Sequence, residues 1–257
     1  MKDLFDLSGR VALVTGGSKG IGRMIAEALV ERGVRTYITA RHADVCEATA
    51  KELSAQGECI AIGNDLGKEE GIVELAEAIK ARETKLDILV NNAATGWHAP
   101  FDEFPMKGWD KTLNLNLKAP FFLTQQLAPL LRKAGSLEQP AKVINIASVD
   151  GLYTPGDEGY PYPASKAGLI HLTRKLAQDL APDHIHVNTL APGAFGSDMN
   201  PMARDAPEEL GKHIPAGRVG LPEDIAGTVV YMASRAGDYL MGVTIALDGG
   251  FVYARKT

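Results

Sequence analysis

Val11-Ala12-Leu13-Val14-Thr15-Gly16-Gly17-Ser18-Lys19-Gly20-Ile21-Gly22 is the stretch that decides how this chain folds. Its first five residues form a short continuous apolar run, as expected of a strand buried on both faces of a parallel sheet. Glycines follow at once, and beyond them Met24, Ile25, Ala28 and Leu29 recur at helical spacing. A strand that passes through glycines into a helix is suited to an anion. The glycines let the backbone come close, and the free N–H groups and dipole of the helix N-terminus receive the charge. A pyrophosphate is therefore expected here, held by Gly16, Ser18, Lys19, Gly20, Ile21 and Gly22. A phosphate-loop NTPase is excluded, because Gly22 is followed by Arg23-Met24 where Lys and Ser or Thr are required.

Working outward, the next strand, Arg35 to Thr39, ends at Ala40-Arg41-His42. Dinucleotide enzymes that use NAD place an acid near this point, about twenty residues past the loop, to grip the ribose 2'-hydroxyl. This chain has Arg41 instead, and Lys19 adds a second cation in the loop. Two cations suit a 2'-phosphate, so the expected cofactor is NADPH/NADP rather than NADH. A helix over 44–56, a strand over 58–63, a helix over 68–82 and a strand over 86–90 continue the alternation. Such alternation predicts a doubly wound parallel sheet, an α/β fold of the Rossmann type in a single domain over 1–257. Ligands of such sheets sit outside the C-terminal strand ends. Two of those loops carry polar residues, Asn64-Asp65-Leu66 and Asn91-Asn92-Ala93-Ala94. Asp65 could accept from an adenine amine, and the Asn pair could buttress the sheet and the cofactor, although capping and turn roles explain such residues equally well.

The second half reads as chemistry. A long helix is expected over 109–133, with Pro120 and Pro129 as irregularities and with Asn114 and Asn116 inside it, one of them serving a hydrogen-bond network. The strand over 142–147 delivers Ser148 to a C-terminal strand end, and fourteen residues later stands Tyr162-Pro163-Ala164-Ser165-Lys166. If that pentapeptide opens a helix, Tyr162 and Lys166 share one face. The ammonium is then expected to pull the phenol down toward the working range of a general acid. Ser148 can hold a carbonyl oxygen, Tyr162 can protonate it, and Lys166 can keep the phenol acidic while touching the nicotinamide ribose. The segment 153–160 is a Gly-, Pro- and acid-rich loop at the substrate mouth. The stretch 194–218 reads as a lid, with Phe195, Met199 and Met202 as its apolar lining. Trp97 and His98 are read as cleft or surface residues. His184 and His186 alternate on one strand but lack a third ligand, so no metal site is expected.

In order and at family spacing, Thr15-Gly16-x-x-x-Gly20-x-Gly22, Asn91-Asn92-Ala93, Asn116, Ser148, Tyr162-x-x-x-Lys166 and Pro192-Gly193 make the chain resemble the short-chain dehydrogenases/reductases over nearly its whole length. The fuller pattern is similar to 3-oxoacyl (β-ketoacyl) reductases of the rhamnolipid-pathway type, which also carry a basic residue where Arg41 stands. The resemblance implies a catalytic tetrad of Asn116, Ser148, Tyr162 and Lys166, with Asn116 binding a water that links Lys166 to a proton relay. It implies that Asp65, Leu66, Asn92 and Ala93 line the adenine and ribose side, that backbone after Pro192-Gly193 closes on the nicotinamide, and that the chain assembles as a homotetramer through its two long helices. Ala94 stands where the family commonly has glycine.

The expected activity is thus reduction of a small-molecule ketone, a 3-oxoacyl compound or β-keto ester. The alternatives are a polyol or sugar dehydrogenase and, from another class, a non-catalytic NADPH-binding regulator on the same fold. Composition agrees with a soluble enzyme: apolar residues make up 45% and charged residues 23%, and the net charge of -5 offers nothing to nucleic acid or an anionic membrane. No signal peptide and no apolar run near about eighteen residues is found, so a cytoplasmic location without a membrane partner is expected. Cys46 and Cys59 lack metal spacing and are expected to be free thiols.

Overall fold

The computed structural model describes residues 3–156 and 158–254. Apolar runs and amphipathic segments alternate to give seven strands: β1 Val11–Thr15, β2 Arg35–Ala40, β3 Cys59–Gly63, β4 Ile88–Asn91, β5 Ala141–Ile146, β6 Ile185–Pro192 and β7 Thr244–Leu247. They form one sheet in the order β3-β2-β1-β4-β5-β6-β7, every neighbouring pair parallel. The chain is the doubly wound α/β fold expected from the sequence. Strand order reverses at β1, between β2 and β4, and a crevice opens there outside the C-terminal strand ends.

Helices cover both faces: α1 Gly20–Glu31, α2 Ala43–Leu53, α3 Glu69–Lys80, α4 Met106–Leu113, α5 Ala119–Ala134, α6 Pro161–Leu180, α7 Pro201–Asp205, α8 Pro207–Gly211 and α9 Pro222–Ala233. Because both faces are covered, successive strand residues go to opposite cores. Val14, Val90 and Ile144 pack with Ile25, Leu29 and Val229, whereas Leu13, Leu89 and Val143 pack with Leu75, Leu123 and Leu127. Each such side chain removed from water contributes about 1.5–3 kcal/mol, which makes the continuous apolar strands the main source of stability.

Three expectations are corrected. The single helix over 109–133 is two helices, α4 and α5, joined by a π-helical turn, Asn114–Lys118. Pro120 supplies the reason: it has no N–H to return to the carbonyl of Asn116 four residues back, and the Ala119 N–H reaches Asn114 O instead. Pro129 lies inside α5 without ending it. Second, Phe195 is no lid lining; it is 3% exposed and lies under Gly220, where an added Cβ would come within 2.2 Å of its ring. Met199 and Met202 lie at the surface, more than half exposed. Third, His184 and His186 do not alternate along one strand. His184 precedes β6 in a left-handed conformation, φ 55°, and only His186 belongs to the strand.

Cys46 and Cys59 are buried and free. Among the described residues no group of three potential metal-binding side chains comes together, and no helix is long and apolar enough to cross a membrane.

Candidate active site

The glycine loop following β1 is built to leave room. Gly16 and Gly20 have φ of 64° and 55°, left-handed values that strain an L side chain. Gly22, on the first turn of α1, lies so close to the loop that a Cβ would meet Gly16 O at 2.2 Å and Asn92 Nδ2 at 2.4 Å. Asn92 holds this arrangement from β4: its Nδ2 donates to Thr15 O at 2.8 Å and Gly16 O at 3.2 Å. Thr15 Oγ1 in turn accepts from Asn92 N and Ala93 N, at 2.9 and 3.0 Å. The two loops of the crevice are thereby stitched together. The N-terminus of α1 opens above them without an acidic residue in its first turn. A loop of glycines under a helix N-terminus, with no carboxylate in the first turn of the helix, fits a dinucleotide pyrophosphate.

Beside it, β2 brings its end next to the loop through the Gly17 N–H to Thr39 O bond of 3.1 Å. Arg41 follows directly, exposed, and among the described residues no acid pairs with it. Lys19 is placed differently: its ammonium is 2.6 Å from Asp198, whose other oxygen takes Arg204 at 3.0 Å. Asp65 Oδ1 accepts from Gly67 N at 3.1 Å, a turn role, and Leu66 is buried in the core beneath it. The other member of the Asn pair, Asn91, faces the sheet interior, where Nδ2 donates to Asn145 Oδ1 at 2.8 Å and to Thr124 Oγ1 at 3.2 Å. Pro192, the last residue of β6, is buried, and a Cβ at Gly193 would sit 2.9 Å from Asp248, so this turn packs tightly against the strand end of β7.

Tyr162 and Lys166 open α6, one turn apart, and Ser148 caps a 3-10 turn, Val149–Gly151, at the end of β5. The Ser148 side chain lies near enough to the Tyr162 phenol to favour its ionised form. Lys166 is 2% exposed; its Nζ donates to Ile146 O at 2.7 Å and lies 5.5 Å from the centre of the Tyr162 ring. Here the expected electrostatics are corrected. Burial, with Asp150 adding to it, pushes the Tyr162 phenol up to about 12 against the lowering effect of Ser148. Burial likewise pushes Lys166 down to about 7, with Asp150 opposing. The ammonium lies over the ring rather than against the hydroxyl, and removal from water outweighs the attraction that sequence spacing suggests.

Asn116 stands in the π-helical turn, 1% exposed. Its Oδ1 accepts from Thr95 N at 2.9 Å, and its Nδ2 donates to Thr95 O at 2.9 Å and Ser165 Oγ at 3.0 Å. Ser165 Oγ donates onward to Tyr162 O at 2.7 Å. The amide therefore ties the loop after β4 to the first turn of α6, with one lone pair of Oδ1 and its backbone carbonyl left for a water. The four tetrad positions are brought into one cluster.

The family model described as short chain dehydrogenase matches residues 10–208. The chain belongs to the short-chain dehydrogenase family. It is 48% identical over 254 residues to the rhamnolipids biosynthesis 3-oxoacyl-[acyl-carrier-protein] reductase of Pseudomonas aeruginosa, covering 98% of this chain and 99% of that one. It is 36% identical to a 2-dehydro-3-deoxy-D-gluconate 5-dehydrogenase of Dickeya dadantii, over 96% of this chain and 97% of that protein. Among solved structures, the Pseudomonas aeruginosa RhlG/NADP active-site complex superposes with a TM-score of 0.94 at 47% identity, covering 98% of this chain and all of that one. The protein is accordingly an oxidoreductase of the family's CH-OH/C=O class.

Several residues of the site escaped the sequence. Thr95 and Ser165 complete the Asn116 network, Asp150 acts on both Tyr162 and Lys166, and Asp198 engages Lys19. Only Ser165 lay inside a motif, and nothing there marked its hydroxyl as more than helix surface. Trp97 proves to be packing: a Cβ at Gly108 would be 2.7 Å from its ring, and Lys107 and Lys111 stand 5.6 and 5.5 Å from the ring centre. His98 is exposed at the edge of the cleft. Of the mouth loop 153–160, Asp157 lies outside the described residues; Tyr160 packs edge-on against Phe101 and Phe104.

Proposed function

We propose that this chain is an NADPH-dependent carbonyl reductase acting on a ketone of the 3-oxoacyl or β-keto ester type. The observation that carries it is Tyr162 with Lys166 buried one turn along α6, its ammonium 5.5 Å from the centre of the phenol ring, and Ser148 at the adjoining end of β5. The nicotinamide, when bound, supplies the hydride that the carbonyl carbon accepts. Ser148 donates a hydrogen bond to the carbonyl oxygen and orients it. Tyr162, a neutral phenol, gives that oxygen its proton as negative charge develops. Lys166 holds the nicotinamide ribose and lies beside the phenol that must regain a proton. Asn116 fixes the first turn of α6 through Ser165, and its remaining acceptors are free to hold a relay water.

We assign the pyrophosphate to Gly16, Ser18, Gly20, Ile21 and Gly22, the 2'-phosphate to Arg41 with Lys19 as the second cation, the adenine and ribose side to Asp65, Leu66, Asn92 and Ala93, and the nicotinamide side to Pro192 and Gly193. For Lys19 to serve a phosphate it must exchange its partner Asp198. The apolar groove between α4, α5 and α6, lined by Leu117, Phe121, Phe122 and Leu172, supports assembly as a homotetramer through these helices. The protein is taken to act in the cytoplasm on a small-molecule substrate.

The second reading is oxidation of a sugar or polyol, favoured by the resemblance to the gluconate-type dehydrogenase. One panel separates the two: reduction of a 3-oxoacyl thioester, a β-keto ester and a keto-sugar, each with NADPH and NADH. Turnover of the acyl compounds with strong NADPH preference, lost roughly tenfold on Arg41→Ala, is the expected result. Keto-sugar turnover alone, or NADH preference, would hand the assignment to the second reading. Tyr162→Phe should abolish turnover and spare cofactor binding; a near-normal rate in that variant would remove the mechanism.

A further inference from the structure

Asp150 stands in the 3-10 turn between Ser148 and Gly151, next to the first turns of α6, and has no part in the mechanism above. Its backbone N–H donates to Ser148 Oγ at 3.1 Å, so the hydroxyl that lies near Tyr162 also caps the turn that carries Asp150. Gly151 presses this turn onto α6: a Cβ there would be 2.7 Å from the carbonyl carbon of Lys166 and 2.8 Å from Ala167 N. Only glycine permits that approach, and it fixes the half-buried Asp150 beside the first turns of the helix.

The field of a carboxylate held there falls on both working groups. It opposes ionisation of the Tyr162 phenol and favours the charged form of Lys166. Among the described residues the titratable groups set round this end of α6 come from four places. Asp150 comes from the turn, Tyr162 and Lys166 from the helix, Tyr153, Glu158 and Tyr160 from the segment that leads into it, and His98 from the facing loop, where a Cβ on Gly96 would stand 3.8 Å from His98 Cε1 and 3.9 Å from Tyr162 Cδ2. Ser148 and the Ile146 carbonyl complete the set with neutral dipoles.

We propose that Asp150 is a positioning residue of this site, whose fixed charge keeps Tyr162 a neutral phenol and holds the proton on Lys166, so that the pair stands ready to donate a proton rather than to take one. It rests on Tyr162 being the proton donor. Reduction of a carbonyl needs the phenol protonated, and oxidation of an alcohol needs it ionised, so a carboxylate at this place biases the site toward reduction and moves the onset of oxidation to higher pH.

Lys166 reports the effect without turnover. In protein labelled with carbon-13 at lysine Cε, with Lys166→Met to identify the signal, Lys166 should titrate near 7. In Asp150→Asn and Asp150→Ser the midpoint should fall by about one pH unit, while Asp150→Glu stays within a few tenths. Repeating the series with His98→Asn removes the neighbouring imidazole. The matching kinetic readout is the acid limb of alcohol oxidation, which should move to lower pH in the two neutral variants. Two neutral side chains are used so that poor folding of one leaves the other to decide. An unmoved or raised Lys166 midpoint in either folded neutral variant would overturn the proposal. Retained turnover in Tyr162→Phe would instead overturn the function, and leave the lysine titration standing, so the two failures are distinct.

Discussion

Burial moves Tyr162 and Lys166 in opposite directions, and this is what makes a stiff pair of ordinary side chains useful. The phenol, raised to about 12, keeps its proton through the whole physiological range, whereas the lysine, lowered to about 7, can change charge within it. That lysine also sets a stability trend. Between about 7 and 10.5 the unfolded chain carries a proton on this lysine that the folded chain has released, so through this group stability rises with pH over that window. Below 7 both states are protonated and the folded chain bears the full cost of a buried ammonium, on the order of a few kcal/mol. Lys166→Met should therefore lose turnover yet melt several degrees higher at pH 6, with the gain shrinking as pH approaches 10. Thermal melts at the two pH values check it; an equal gain at both would show that charge is not what burial penalises here.

The elements place these residues through small exceptions to regularity. The glycine loop is the first: its conformation needs φ near +60° at Gly16 and Gly20, and its closeness to α1 needs Gly22. Gly22→Ala must push against Gly16 O and the Asn92 clamp at once, both of them fixed, so the loop itself has to move. A loss of about 1–3 kcal/mol of stability is expected, together with at least tenfold weaker NADPH binding, measured by melting and by fluorescence titration. Unchanged cofactor affinity would mean that the cradle tolerates displacement and is not where the pyrophosphate lies. The second exception is the π-helical turn before Pro120, which presents Asn116 to Thr95 and Ser165. A regular helix would carry Asn116 round to another face, because each extra residue in a turn rotates everything downstream by about 100°.

At the scale of the molecule, chemistry and a costly charge pair sit at opposite ends of the sheet. Ser148 follows the C-terminal end of β5, while Lys142 lies near its start, 1% exposed, with its ammonium 2.7 Å from Asp238. Burial lowers Lys142, and Asp238 opposes that lowering. Asp238→Ala would leave an unpaired buried cation, so a loss of roughly 3 kcal/mol is expected, with kcat at 25 °C unchanged because the site lies a whole strand away. A fall in kcat larger than the loss of folded protein would show that the two ends of the sheet are coupled. The alternation of strands and helices and the sheet class were legible in the chain, since apolar runs and glycine spacing are local patterns that local physics reads, and so was the shared helix face of Tyr162 and Lys166; the choice of Asn116 over Asn114 came only from the resemblance to a family, and the break of 109–133 into two helices was not read. Legible too was Arg41, because it stands where β2 must end. What only the tertiary structure decided was everything that depends on how far a group lies from water and from groups distant in sequence. Thus the phenol is raised rather than lowered, Phe195 belongs to the core under Gly220, Lys19 is held by Asp198, and Asp150 acts on Tyr162 and Lys166 from another element. Spacing fixes which residues share a helix face, but desolvation and Coulomb energies depend on burial and distance in space, which only the packing of the whole chain sets.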